Sequence, residues 1–115
     1  MTKIAGFVLR RSDRQATAAF YRELGLTTNE HRHGEGPKHH EVLPLAPDFV
    51  VEIYQSSPAF SQDTIMIEVD SLMATLKIAA RHKIIPSGDI REGPKMRFVY
   101  ITDPDKRSLM LIEKK

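Results

Sequence analysis

Two short β-rich runs, Ile4–Leu9 and Thr64–Val69, each precede a stretch whose apolar residues recur at helical spacing. In the first stretch Ala16, Phe20 and Leu24 fall at i, i+4 and i+8. Ser12 can cap it, Gln15 stands at the reciprocal capping-box position and Gly25 supplies the stop. In the second, Ser71 can cap, Leu72, Leu76 and Ala79 form the stripe, and Pro86 with Gly88 ends the segment. Three candidate strands follow each helix. The first set is Thr27–His33, His39–Leu45 and Phe49–Tyr54; the second is a weak run near Ile90, then Met96–Thr102 and Ser108–Ile112. Turns fall at Ala46-Pro47-Asp48 and Asp103-Pro104-Asp105, where proline presets φ and aspartate bonds its own backbone.

The order is therefore βαβββ, twice, and the residues themselves repeat. Glu35-Gly36-Pro37-Lys38 recurs as Glu92-Gly93-Pro94-Lys95, half the chain away. At that offset Val42 meets Val99, Pro47 meets Pro104 and Asp48 meets Asp105; one residue further on, Leu9 meets Ile67, Ala16 meets Ala74, Thr17 meets Thr75 and Phe20 meets Ile78. The chain reads as two related modules, about 1–57 and 62–115, of the α+β class. A helix covers one face of each small sheet and leaves the other concave. Two such modules would form a partly open, barrel-like cavity, the default place for a small-molecule site.

The segment Ile4-Ala5-Gly6-Phe7-Val8-Leu9-Arg10-Arg11-Ser12-Asp13, with Ala19-Phe20-Tyr21-Arg22-Glu23-Leu24-Gly25-Leu26, resembles the opening of the vicinal oxygen chelate proteins. That superfamily includes glyoxalase I, extradiol dioxygenases and the fosfomycin- and bleomycin-resistance proteins. Ile67-Glu68-Val69-Asp70-Ser71-Leu72 is similar to its second-module opening, and Thr102-Asp103-Pro104-Asp105 with Leu109-Met110-Leu111-Ile112 to its closing turn and last strand. The resemblance implies a single glyoxalase/bleomycin-resistance-like domain over 1–115, a homodimer, and metal ligands at four positions. Those positions carry Gly6, Glu52, Thr64 and Met110 here, so one ligand of four survives. A catalytic centre needs about three protein ligands. No cofactor is expected at the inherited site. The turn departs too: Lys106 stands where the superfamily commonly has glycine.

Composition narrows the rest. The 115 residues include no cysteine, which excludes disulfides, thiolate metal sites and cysteine nucleophiles. Seventeen basic residues against 15 acidic ones give a net charge of +2, with the two signs interleaved, so no nucleic-acid partner is expected. The apolar run Ile4–Leu9, closed by Arg10-Arg11, is too short for a secretory or membrane segment. A cytoplasmic protein without a membrane partner is the expectation.

Strand alternation assigns the candidate site. Val51 and Ile53 suit the helix-packed face, leaving Glu52 and Tyr54 for the cavity; Arg10 shares the phase of Gly6 and Val8. By the repeat, Met66, Phe98, Tyr100 and Met110 fall in the inward phase of the second module. Two readings of the histidines are open. Asn29–His40 is a polar loop with solvated histidines, or His39 and Glu41 point into the cavity beside Glu52 and make a displaced divalent-metal site. The first leads to a metal-free protein that binds a small molecule through Arg10, Glu52, Tyr54, Met66, Phe98, Tyr100 and Met110. The second leads to a metal-dependent lyase, isomerase or dioxygenase using Glu52, His39 and Glu41. A third, metal-free enzyme would move a proton on Glu52.

Overall fold

The computed structural model describes residues 1–43 and 46–115. Among these the chain forms β1 (Lys3–Arg11), α1 (Arg14–Glu23), β2 (Thr27–Arg32), β3 (Lys38–Leu43) and β4 (Val50–Gln55). It continues with β5 (Thr64–Glu68), α2 (Leu72–Arg81), β6 (Arg91–Glu92), β7 (Met96–Thr102) and β8 (Ser108–Lys114). This is the twice-repeated βαβββ order of a mixed α+β chain. Pro44 and Leu45, the end of one candidate strand, lie outside the described residues. No helix among the described residues is long and apolar enough to cross a membrane.

Two compact units result: Gly6–Asp63, and Thr64–Lys115 together with Met1–Ala5. The first orders its strands β2-β3-β4-β1 and the second β5-β8-β7-β6. In each, the opening strand runs parallel to the closing one, β1 to β4 and β5 to β8, and the remaining pairs are antiparallel. A parallel pair needs a long crossover, which the helix and the strands after it supply. The repeated tetrapeptides thus mark a repeated topology.

The core of the first unit is Ala18, Val42 and Ile53, with Leu9, Tyr21 and Val51 partly buried against it. The expected stripe Ala16/Phe20/Leu24 is not the buried one: Phe20 and Leu24 are 56% and 63% exposed. Apolar residues surround most of α1, so periodicity alone leaves two faces in competition. The face carrying the small Ala18 lets the helix close onto Val42 and Ile53. The cap differs as well. Asp13, not Ser12, takes the N-cap, its Oδ1 accepting the Ala16 amide at 3.0 Å. A carboxylate gains more than a hydroxyl at the positive end of a helix. Gln15 turns instead to His40 Nε2, 2.9 Å away, and to Glu30.

In the second unit the expected stripe is buried. Leu72 and Ala79 join Val69, Val99, Ile101 and Leu111, with Leu76 partly buried beside them. Ser71 Oγ accepts the Ala74 amide at 3.1 Å. The first helical amide, of Leu72, donates to Glu113 Oε1 at 2.8 Å, and Arg97 Nη2 holds the other oxygen at 2.6 Å. The helix ends at Arg81, before Pro86 and Gly88, with Lys83 at φ 61° just beyond it. Lys106 adopts φ 65°, so the closing turn keeps a left-handed residue without glycine. Asp103 Oδ1 holds that turn by accepting the Asp105 and Arg107 amides at 2.8 and 3.1 Å.

Candidate functional site

The helix-packed residues fix what the other sheet face carries. With Val42, Val51 and Ile53 against α1, strand alternation turns His39, Glu41, Glu52 and Tyr54 the opposite way. The ladder then aligns them: Val8 opposite Glu52, Arg10 opposite Tyr54, Glu41 opposite Glu52 and His31 opposite His39. The polar-loop reading of Asn29–His40 does not hold. Most of that stretch is β2 and β3, and His39 is completely buried. Their six paired positions, Thr27–Arg32 against Lys38–Leu43, outweigh the polar composition that suggested a loop.

Glu52, only 8% exposed, is the centre of this face. Its Oε2 lies 2.7 Å from His39 Nε2 and 3.1 Å from His33 Nε2. His39 Nδ1 faces the Pro37 carbonyl at 3.4 Å. Although close to Glu52, His39 Nε2 lacks hydrogen-bond geometry and has no hydrogen-bond partner. Three imidazoles gather here, with ring centres 4.4 Å apart for His31 and His33, 4.9 Å for His31 and His39, and 4.8 Å for His33 and His39. The Tyr54 ring stacks on His39 at 4.3 Å. The Arg10 guanidinium lies 4.6 Å from the centre of Tyr54 and 4.9 Å from that of Phe60.

Burial pushes the Glu52 carboxyl upward, but the imidazoles of His39 and His33 pull it down further, so it sits below the ordinary carboxylate value. Among the described residues, the group spaced to hold a metal is His31, His33 and His39, one ligand atom from each lying within 4.8 Å of the others. Glu41 is not in it. Sequence reasoning named His39 and Glu52 but missed His31 and His33 as their neighbours. The signal was there, since His31 and His33 share one strand phase and need only the β2–β3 register to reach His39.

The remaining candidates sit in the second unit. Met66, Met110 and Tyr100 align in one row across β5, β8 and β7, and the Phe98 and Tyr100 rings meet edge to face at 6.1 Å. Leu109, Leu111, Val99 and Ile101 are packed toward α2, so this row lies on the face away from the helix. It is apolar, and its two methionines are buried.

Three of the four positions that the resemblance pointed to, Gly6, Thr64 and Met110, do not fit a metal. A Cβ at Gly6 would penetrate the Val50 carbonyl oxygen and stand 2.8 and 2.9 Å from the Val50 carbonyl carbon and amide nitrogen. The Thr64 hydroxyl donates to Ser108 Oγ at 2.9 Å, and Met110 is 7% exposed among apolar neighbours. On the α2 side of the second unit a separate groove of about 450 Å³ is lined by Ile67, Ile78, Ile84 and Leu109, with His82 and Asp103. Few polar groups converge there.

No protein-family model matches the chain, and no curated protein matches it by sequence. Solved structures do match it in shape. A glyoxalase/bleomycin resistance protein/dioxygenase superfamily member from Vibrio splendidus has a TM-score of 0.66 at 12% identity, over 98% of this chain and 99% of that one. Methylmalonyl-CoA epimerase from Mycobacterium tuberculosis has a TM-score of 0.68 at 14% identity, over 97% and 87%. A variant of the Streptomyces coelicolor methylmalonyl-CoA epimerase, in complex with 2-nitronate-propionyl-CoA, also gives 0.68, at 15% identity over 98% and 97%. The chain has the vicinal oxygen chelate fold.

Proposed function

We propose that this chain binds a small organic carboxylate on the face of its first unit that carries Arg10, Glu52 and Tyr54. The observation behind it is the state of Arg10. Its guanidinium is held between the Tyr54 and Phe60 rings, and among the described residues no carboxylate pairs with it. Guanidinium stacked on aromatic rings keeps its N–H fork available for a planar carboxylate. The row of Met66, Phe98, Tyr100 and Met110 offers apolar contact for a ligand in the second unit. A cytoplasmic homodimer, one functional domain per chain, completes this reading. Binding and sequestration need no turnover.

A panel of small mono- and dicarboxylates tests it, with methylmalonate and methylmalonyl-CoA included because two structural neighbours are methylmalonyl-CoA epimerases. The measurement is melting temperature in the presence of a metal chelator, since a ligand that binds only the folded state stabilises it by mass action. At least one carboxylate should raise the melting temperature, and Arg10→Gln should abolish the rise. Equal binding of the neutral amide analogue would sink the proposal.

A second reading, metal-dependent lyase, isomerase or dioxygenase chemistry, is favoured by the three histidines gathered beside Glu52. It stands or falls with the ability of that cluster to take a metal ion.

A further inference from the structure

We infer that His31, His33 and His39, with Glu52, form a binding site for one divalent first-row transition metal ion, apart from the positions the superfamily resemblance pointed to. This supplies the metal centre that the second reading above requires, and it holds whether or not the protein binds a carboxylate. Only Glu52 is common to both sets. The other inherited positions lie on β1, β5 and β8, whereas His31 is on β2, His33 directly follows β2, and His39 is on β3.

Distance comes first. One ligand atom from each histidine lies within 4.8 Å of the others. A tetrahedral ion with bonds of about 2.0–2.1 Å sets neighbouring ligand atoms about 3.3 Å apart. Glu52 Oε2 is already at 2.7 and 3.1 Å from the Nε2 atoms of His39 and His33. The His33 side chain, 63% exposed, is the member with room to move toward the others.

The state of His39 is the second observation. Its Nδ1 faces the Pro37 carbonyl, which can only accept, so Nδ1 is the donating nitrogen and Nε2 the one placed to coordinate an ion. A backbone carbonyl receiving the outer N–H is the usual support for a metal-ligating imidazole. Nε2 is buried without a hydrogen-bond partner and stands 2.7 Å from a carboxylate oxygen. A cation coordinated by both satisfies the orphaned nitrogen. The ring stacking of His39 with His33 and Tyr54 accounts for the packing of the rings, but does nothing for Nε2.

The donor set selects the class of ion. Three imidazoles and one carboxylate, without thiolate, suit zinc, nickel, cobalt or ferrous iron and not calcium or magnesium, which prefer oxygen.

The full chain, free of any histidine tag, is stripped with a chelator and titrated with zinc and with cobalt(II), no organic ligand being present. About one equivalent of zinc should bind and raise the melting temperature. Cobalt should develop the intense visible bands of a four- or five-coordinate site. His33→Gln and Glu52→Gln should each weaken zinc at least about tenfold, in keeping with the sensitivity of metal sites to lost ligands and supports. His82→Gln, in the second unit, should leave the affinity unchanged. His33 is exposed, so its variant keeps the fold, and circular dichroism verifies this. Absence of saturable zinc binding, or wild-type affinity in both His33→Gln and Glu52→Gln, would overturn the inference. Zinc binding with no response to the carboxylate panel would refute the carboxylate proposal alone; the reverse pattern would refute the metal site alone.

Discussion

Gly6 is the residue whose replacement should cost this fold most for the fewest atoms. Its φ of 151° lies where L-residues are strained, and a Cβ added there would enter the Val50 carbonyl across the β1–β4 ladder. Holding a non-glycine residue in such a conformation costs about 1–3 kcal/mol. Relieving the clash means moving β1 off β4 around the Gly6–Val50 pair, which weakens flanking backbone hydrogen bonds worth about 1 kcal/mol each. Gly6→Ala should therefore destabilise by about 3–5 kcal/mol. For a domain of this size that lowers the melting temperature by at least about 10 °C. Urea unfolding at constant m-value is the measurement, with Gly88→Ala as control. At Gly88 φ is unremarkable and an added Cβ meets nothing within 4 Å, so the control should stay within about 0.5 kcal/mol of the parent. Gly6→Ala within about 1 kcal/mol of wild type, the low end of that strain range, would refute the reasoning. So would a well-folded Gly6→His that gained a metal site with Glu52.

Two further outcomes can be stated. The Glu113 carboxyl is held below the usual carboxylate range first by Arg97 and then by the Leu72 amide, so its contribution is present above the ordinary carboxylate value and disappears as pH falls through its depressed one. Glu113→Gln should thus melt lower than the parent at neutral pH and converge with it in acid; parallel melting curves across the pH range would contradict this. Light scattering of the purified protein should give the mass of a homodimer, since edge strands such as β2 and β6 seek partners, and a monomer mass at high concentration would count against it.

How much of the fold is legible in the sequence depends on how many signals agree. The second unit reads clearly because the Ser71 cap, the Leu72/Leu76/Ala79 stripe and a β-branched strand pattern all point the same way. α1 misleads because Ala16, Ala18, Ala19, Phe20 and Tyr21 leave several apolar faces, and only the shape of the sheet beneath chooses Ala18. Its cap misleads because Ser12 and Asp13 are adjacent and both can cap. The histidines pose a different problem. Strand phase puts His39 on the right side, but which residues stand beside it is set by the β2–β3 register, and register comes from pairing rather than from local propensity.

The same register bears on the proposed metal site, which lies apart from three of the four positions that the resemblance pointed to. At Gly6 the close approach of β1 to β4 forbids any side chain, so a ligand there would cost the parallel ladder that closes the unit. The β2–β3–β4 ladder is under no such restriction. Antiparallel pairing sets His31 beside His39, and β4 brings Glu52 within 2.7 Å of His39, while α1 packs on the opposite face. Every residue of the cluster then comes from one compact unit. Hydrogen-bonded strands hold His31, His39 and Glu52, a rigid support of the kind that ligand positioning requires, with His33 just beyond the end of β2.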